Sequence, residues 1–196
     1  MYLALMGAVE GHPEVLSSIK FCISGAAPLP AQVQADFEAI THGKLVEGYG
    51  LSEAGPVTHA NPLTDECRTG SIGLPFPSID AIVANQETGE PVPNGEIGEM
   101  VVKGPNIMQG YWKREAETKA TLRDGWLHTG DLGKMDRDGY FTMIERAKDV
   151  IIASGFKIYP QEVEAVLFQH PAVAEAAVTG APDAYRGETE IGRAHV

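Results

Sequence analysis

The 196-residue chain is 43% hydrophobic and 21% charged, enough apolar mass for a globular core and too little charge excess for a disordered polymer. A net charge of −12 and a pI near 4.8 argue against a nucleic-acid partner, whose binding rests on phosphate neutralisation by Lys and Arg. No apolar run approaches the about 20 residues of a transmembrane helix, and the opening Met1–Val9 lacks the basic flank and cleavage site of a signal peptide. The chain therefore reads as cytoplasmic. Cys22 and Cys67 have neither metal-ligand nor redox-pair spacing, so a disulfide scaffold is ruled out and Cys22, inside an apolar run, reads as a small buried hydrophobe.

In chain order, Ile19–Ser24 is an apolar strand closing on Gly25. Pro30 then suits the first turn of a helix that carries Val33, Phe37 and Ile40 on one face and runs to about Ile40. Lys44–Gly48 gives a second strand leading into the loop Tyr49–Pro56, an α/β signature. From Ile79 the pattern turns to short strands, Asp80–Ala84, Glu99–Lys103 and Tyr140–Ile144, between Gly, Pro and Asn turns, as in a β-rich subdomain. Asp138-Gly139 predicts a hairpin with a type I′ turn. Val150–Ala153 and Phe156–Tyr159 read as a strand pair around Ser154-Gly155. A helix follows from Pro160 with Val163, Val166 and Leu167 on one face, then a strand at Val173–Val178, which completes an α+β unit.

Three segments gather small and polar residues where strands are expected to end: Ser24-Gly25-Ala26-Ala27, Glu47 to Glu53 and Trp126 to Asp131. Glycines around Tyr49 would let backbone approach a flat ligand while the ring offers a stacking face. Ser52 offers a hydroxyl to phosphate, and Glu53 a hard oxygen to Mg²⁺. Asp131 can accept hydrogen bonds from a ribose diol, or close an Asx turn. The six histidines show no metal spacing; His59, His128 and His170 read as surface or loop hydrogen-bonders. Trp112 and Trp126 read as packing anchors.

Together, SGAAPL at Ser24, GYGLSE at Gly48, the Thr129-Gly130-Asp131 triplet and ERAKD at Glu145 resemble the adenylate-forming enzymes: acyl-CoA synthetases, luciferases and peptide-synthetase adenylation domains. GEIGEMVVKGPNIMQGYW from Gly95 to Trp112 adds to the resemblance, which runs from about Met1 to Glu188. It implies a mixed α/β and α+β fold: residues 1–146 as the end of a large N-terminal α/β domain with its β-rich subdomain, and 147–190 as the start of a small mobile α+β C-terminal domain. Carried over residue by residue, Gly25, Ala26 and Ala27 wall the adenine site, and Glu47, Gly48, Tyr49 and Gly50 hold the base, with Tyr49 stacked on it. The resemblance also sets Ser52 on the α-phosphate, Glu53 on Mg²⁺ and Asp131 on the ribose. Ser52 departs from the family's commoner Thr but keeps the hydroxyl. Arg146 contacts the ribose, Lys148 is the hinge, and Gly155 with Phe156 belongs to the loop that swings in along the pantetheine arm.

ERAKDVIIASGFKIYPQEVE looks like the bacterial fatty acyl-CoA synthetases, which implies fatty acid, ATP and CoA as substrates with Mg²⁺. The implied place is the cytoplasm, with peripheral contact at the inner membrane open. An aryl-CoA ligase and a non-catalytic nucleotide-binding module remain the alternatives. The family's phosphate loop and its adenylation lysine are both missing from the chain, which is therefore expected to be an internal fragment, inactive alone. Residues 191–196 read as a non-native tail.

Overall fold

The computed structural model describes residues 1–9, 11–173 and 175–195. Its contacts divide the chain into two units: Met1–Ile82, Val101–His128 and Met135–Thr142 in one, and Val83–Met100, Thr129–Lys134 and Met143–Val196 in the other.

The first unit opens with α1 (Tyr2–Ala8), β1 (Phe21–Ser24), α2 (Ala31–Thr41), β2 (Lys44–Gly50), β3 (Val57–Ala60) and the short β4 (Leu74–Pro75). The four strands form one sheet in the order β1-β2-β3-β4. β1 and β2 are parallel, from Phe21 opposite Lys44 to Ser24 opposite Glu47, and β2–β3 and β3–β4 are antiparallel. A parallel pair needs a crossover, and α2 supplies it. Pro30 stands at the helix N-cap, one residue earlier than expected, and His42 closes the helix in a left-handed conformation. Phe37, Leu29 and Leu45 form the core between α2 and the sheet, flanked by Tyr2, Leu5, Met6, Ile19, Cys22 and Val33. Cys22 is thus a partly buried hydrophobe, and both cysteines are free.

β3 pairs with β2 only from Gly48 onward, so Leu45 needs polar partners from elsewhere. α2 provides them: Glu38 accepts the Leu45 N–H at 2.8 Å, and buried Gln34 donates through Nε2 to the Leu45 carbonyl at 2.8 Å. These two bonds fix the helix on the strand and leave neither group of Leu45 unsatisfied. On the far side β1 ends the sheet, with Phe21 and Ile23 exposed.

The second sheet comprises β5 (Asp80–Ala84), β6 (Gly98–Lys103), β7 (Leu122–Arg123), β8 (Trp126–Met135) and β9 (Phe141–Arg146); α3 (Glu115–Thr121) precedes β7. Strand order is β5-β6-β8-β7, with β9 also on β8. The β8–β9 connection corrects the turn expectation. Gly139 has φ of 87°, but Asp138 is not left-handed. Asp136 takes over: its Oδ1 accepts the N–H groups of Asp138 and Tyr140 at 2.9 and 3.0 Å. The result is a longer Asx-closed loop in which only the last residue needs glycine. Arg68 braces it, bonding Asp136 and Asp138 and lying 3.9 Å over the Tyr140 ring.

In the second unit, β10 (Ile151–Ala153), β11 (Phe156–Ile158), α4 (Pro160–Leu167), β12 (Glu175–Asp183) and β13 (Gly187–His195) follow. Their sheet runs β11-β10-β13-β12. Here Ser154 and Gly155 both have positive φ, 53° and 82°, so the tight hairpin geometry expected at Asp138 occurs at this turn instead. The strand expected from Val173 is β12 and is described from Glu175; Ala174 lies outside the described residues. β13 pairs with β12 from Gly187 opposite Asp183 to His195 opposite Glu175, so residues 191–195 of the expected tail lie in this hairpin; Val196 lies outside the described residues. No helix among the described residues is long and apolar enough to cross a membrane.

Phe37 is 1% exposed and meets Tyr2 edge-on at 5.0 Å. Phe37→Ala should cost about 3 to 5 kcal/mol of stability, measured by urea denaturation. A loss below about 1 kcal/mol would mean that the cluster does not anchor α2.

Candidate functional site

In the first unit the structure brings together the ends of β1 and β2. Ser24 lies opposite Glu47 in the parallel register, which sets Gly25, Ala26 and Ala27 directly after one strand and Gly48, Tyr49 and Gly50 at the end of its neighbour. Gly25, Ala26 and Ala27 are exposed, and Ala26 is left-handed at φ 69°. Glu47 ties the two segments, accepting the Leu29 N–H through Oε1 at 3.2 Å. Burial pushes its carboxyl above the ordinary range, and the Leu29 bond partly offsets that rise.

The segment expected as a loop from Tyr49 is strand through Gly50, followed by a 3₁₀ turn at Ser52–Ala54. Tyr49 lies opposite His59 and Gly50 opposite Val57, so Thr58 is an extra residue in β3, a bulge. Gly50 permits the close approach: a Cβ there would lie 1.9 Å from the Pro56 carbonyl oxygen. Ser52 is exposed just beyond, while Glu53 is half-buried. The Tyr111 hydroxyl donates to Glu53 Oε1 at 2.8 Å, and the Met108 N–H donates to the Glu53 carbonyl at 2.8 Å. That bond to Glu53 and partial burial push the Tyr111 phenol up. Asn106 adds a further brace by donating to the carbonyls of Ala54 and Val57. The polar residues of this clamp, Tyr111 and Asn106, lie within GPNIMQGYW, where the tyrosine directly after Gln109-Gly110 is the one signal in the sequence.

The second unit holds the other candidates. Asp131, expected in a loop, is buried inside β8, where Gly130 at φ 73° kinks the strand. The kink is pinned by Glu99 Oε1, which accepts the Gly130 N–H at 3.0 Å, and by Thr129 Oγ1, which donates to the Met100 carbonyl at 2.6 Å. Arg146 Nε lies 3.7 Å from Asp131 Oδ1, so these two predicted partners are neighbours. Lys148 is exposed in the 3₁₀ turn Ala147–Asp149 and borders a cavity of about 360 Å³ with Glu145, Gln161, Glu164 and Glu188. Gly155 and Phe156 sit at the β10–β11 turn, Phe156 75% exposed.

Two further expectations fail. His59 is no surface residue: it is fully buried in β3, packed on Phe141 at 4.6 Å and Tyr49 at 5.9 Å between ring centroids. β3 buries Thr58 and His59 side by side at its bulge, after exposed Val57, which a lone histidine between Thr58 and Ala60 does not advertise. Trp112 is not a packing anchor either, being 85% exposed with Lys113 Nζ 5.7 Å from its ring, because Lys113 at φ 56° turns the chain there.

Residues 1–112 match the family described as AMP-binding enzyme, and residues 162–196 match its AMP-binding enzyme C-terminal domain. The chain belongs to the AMP-binding enzyme family. Among similar proteins of this family, a long-chain-fatty-acid–CoA ligase of Bacillus subtilis is 57% identical over 91% of this chain and 32% of its own length. A feruloyl-CoA synthase of Amycolatopsis is 42% identical over the whole chain and 39% of its own. The anthranilate CoA ligase AuaEII, solved with anthranoyl-AMP, superposes with a TM-score of 0.85 at 31% identity over 98% of this chain and 37% of that one. The chain thus spans about a third of the length of such AMP-binding relatives. Their mixed α/β architecture is the one expected from the sequence.

Burial lowers the His59 imidazole from 6.5 to about 4. The unfolded chain therefore takes up the proton first as pH falls: the stabilisation is complete above pH 6.5 and is lost on approach to pH 4, a span worth about 3 kcal/mol. The stability of His59→Phe should fall less steeply by that amount over the same window, as measured by urea denaturation at successive pH values. Parallel curves for the two proteins would show that His59 takes up a proton in the folded state without cost.

Proposed function

We propose that this chain is a segment of an ATP-dependent fatty acid–CoA ligase that works through an acyl-adenylate. What carries this reading is the convergence of Gly25–Ala27, Glu47–Gly50 and the Tyr111-braced Glu53 at one end of a parallel strand pair. The 57% identity to a long-chain-fatty-acid–CoA ligase supports the choice of substrate. On this reading Tyr49 stacks on adenine against the Gly25–Ala27 wall, Ser52 donates to the α-phosphate, and Asp131 accepts the ribose hydroxyls with Arg146 beside it. The substrate carboxylate attacks the α-phosphorus and pyrophosphate leaves. The CoA thiolate then attacks the acyl carbonyl, and AMP leaves. Residues 1–146 and 147–190 are the two domains, with Lys148 as pivot and the Gly155-Phe156 turn on the pantetheine arm.

Glu53 suits a magnesium ion: a hard carboxylate, fixed at one oxygen by Tyr111 and followed within the same turn by no competing cation. Bound there, Mg²⁺ would spread the charge that builds on the phosphates. The Tyr111 bond holds the carboxylate in one orientation.

A second reading, an aryl-CoA ligase, is favoured by the 42% identity to a feruloyl-CoA synthase. The full-length protein assayed with ATP, Mg²⁺, CoA and either long-chain fatty acids or ferulate separates the two: thioester from fatty acids alone supports the first, from ferulate alone the second. No thioester from any acid overturns both and favours a non-catalytic nucleotide-binding module.

Within the full-length ligase, Tyr49→Ala should weaken ATP binding by ~1 to 3 kcal/mol, the usual worth of a base stacked on an aromatic ring; unchanged affinity removes Tyr49 from the site. Lys148→Pro should impair one half-reaction more than the other by locking φ. Pyrophosphate exchange reads the first half, and thioester formation from preformed acyl-adenylate reads the second. Equal losses would make Lys148 structural only.

A further inference from the structure

Thr58 and His59 stand beside Tyr49 on the neighbouring strand β3, His59 directly opposite it in the antiparallel register. Their polar groups form a short chain. Thr58 Oγ1 lies 3.4 Å from the Tyr49 carbonyl oxygen and 2.9 Å from His59 Nδ1. A threonine hydroxyl has a single proton to donate. Directed at the Tyr49 carbonyl, it leaves the oxygen's lone pairs to accept the His59 Nδ1–H, which assigns the Nδ1-protonated tautomer. His59 Nε2 is then a bare acceptor, and it is a buried atom with no hydrogen-bond partner among the described residues. The opposite tautomer would bury an orphaned N–H there, the costlier arrangement.

The geometry around this chain is built for it. Thr58 is the bulge residue of β3, and from there its hydroxyl meets the Tyr49 carbonyl. His59 is held on its other face by Phe141, ring to ring at 4.6 Å, and Phe141 is itself fixed by backbone bonds to Ile72 and Gly73 at 2.9 Å each. The imidazole is fully buried and, with its affinity for a proton lowered by burial, stays neutral at physiological pH. It offers a steady donor, unaltered by charge.

We propose that His59 is a positioning residue for the nucleotide base: its Nδ1–H orients Thr58, and Thr58 holds the Tyr49 main chain so that the ring presents a fixed face. This rests on the reading of Tyr49 as the adenine-stacking residue. Neither side chain touches substrate; both act through the Tyr49 backbone, which stands opposite His59 in the β2–β3 ladder between Gly48 and Gly50.

The test uses four variants of the full-length ligase: Tyr49→Ala, His59→Phe, His59→Asn and Thr58→Val. His59→Phe keeps a flat ring and loses the donor. His59→Asn loses the ring but keeps an N–H near the Nδ1 position, and Thr58→Val is nearly isosteric. Losing the hydrogen-bond chain should raise the KM for ATP about 3- to 10-fold in His59→Phe and Thr58→Val, with kcat and the KM values for acid and CoA within about 2-fold. His59→Asn should lie between His59→Phe and wild type. The His59→Phe, Thr58→Val double variant should be no worse than either single one, because both cut the same chain. A merely structural role would lower the melting temperature and the active fraction, hence kcat, and leave the KM for ATP unmoved; that result overturns the proposal. If His59→Phe fails to fold, Thr58→Val alone decides. Tyr49→Ala separates the two levels. An ATP KM raised by Tyr49→Ala but unmoved by Thr58→Val sinks the role of His59 and leaves the adenine site standing, whereas an ATP KM unmoved by Tyr49→Ala sinks the site itself and this role with it.

Discussion

The close approach of the chain at Gly50 to the carbonyl of Pro56 is the constraint on which the first unit's site depends. No side chain fits there, since a Cβ would stand 1.9 Å from that oxygen. Because the backbone returns so tightly, β3 can begin at Val57 and still reach back to pair with the end of β2, taking up the surplus residue as the Thr58 bulge. The turn between them is then short enough to hold Ser52 and Glu53 beside the strand end. Tyr111 and Asn106 fix that turn from outside by bonds to Glu53 and to the carbonyls of Ala54 and Val57. Underneath, Ala54 packs with Val102 and Leu127 in a small apolar cluster. Backbone proximity comes first, and the side-chain positions follow from it.

A net charge of −12 sets a second condition on the proposed reaction. A polyanionic nucleotide approaching such a chain is repelled on average, so its binding energy has to come from local features. Stacking on Tyr49 and hydrogen bonds from backbone and hydroxyl groups are insensitive to net charge. The half-buried Glu47 has its carboxyl raised above the ordinary range by burial and is bonded to the Leu29 N–H.

The elements that repeat a simple pattern were legible in the sequence. Asp80–Ala84 is a strand with the expected ends, Pro160 starts α4, and the stripe through Phe37 faces the core. The motif order was legible too, because it is written in residue types that the backbone requires. What failed was each feature decided by a distant partner. Asp138-Gly139 carries the local signal for a tight turn, but the Asp136 carboxylate claims the amide groups on its far side and lengthens the loop. Asp131 looks like a loop residue because Gly130 precedes it, yet Glu99 binds the Gly130 amide and keeps the kinked chain within a strand. His59 is polar by type and buried by register, and only the strand opposite reveals that register. Tyr111 reaches Glu53 across 58 positions, a separation that no local pattern encodes.

The hinge reading meets a concrete mechanical requirement in the second unit. Glu145, three residues before Lys148, is 5% exposed, and its carboxylate accepts the N–H groups of Arg146 and of Gln161 at 2.9 and 3.2 Å. Gln161 lies in the first turn of α4, where unpaired amides favour an anion. A residue ahead of the proposed pivot therefore caps a helix behind it. Arg146, between the two, also faces Asp131 at 3.7 Å. Rotation at Lys148 cannot leave all of these contacts in place: either Glu145 releases α4, or Glu145 and Arg146 move with the helix and Arg146 leaves Asp131. The Gln161 bond joins a helix terminus to the buried Glu145 carboxylate, whereas the arginine pair is loose and half in solvent, 61% exposed on the arginine side. Exposed pairs of this kind contribute little. On the proposed hinge at Lys148, the weaker contact gives way first, so Arg146 parts from Asp131 before Glu145 releases α4.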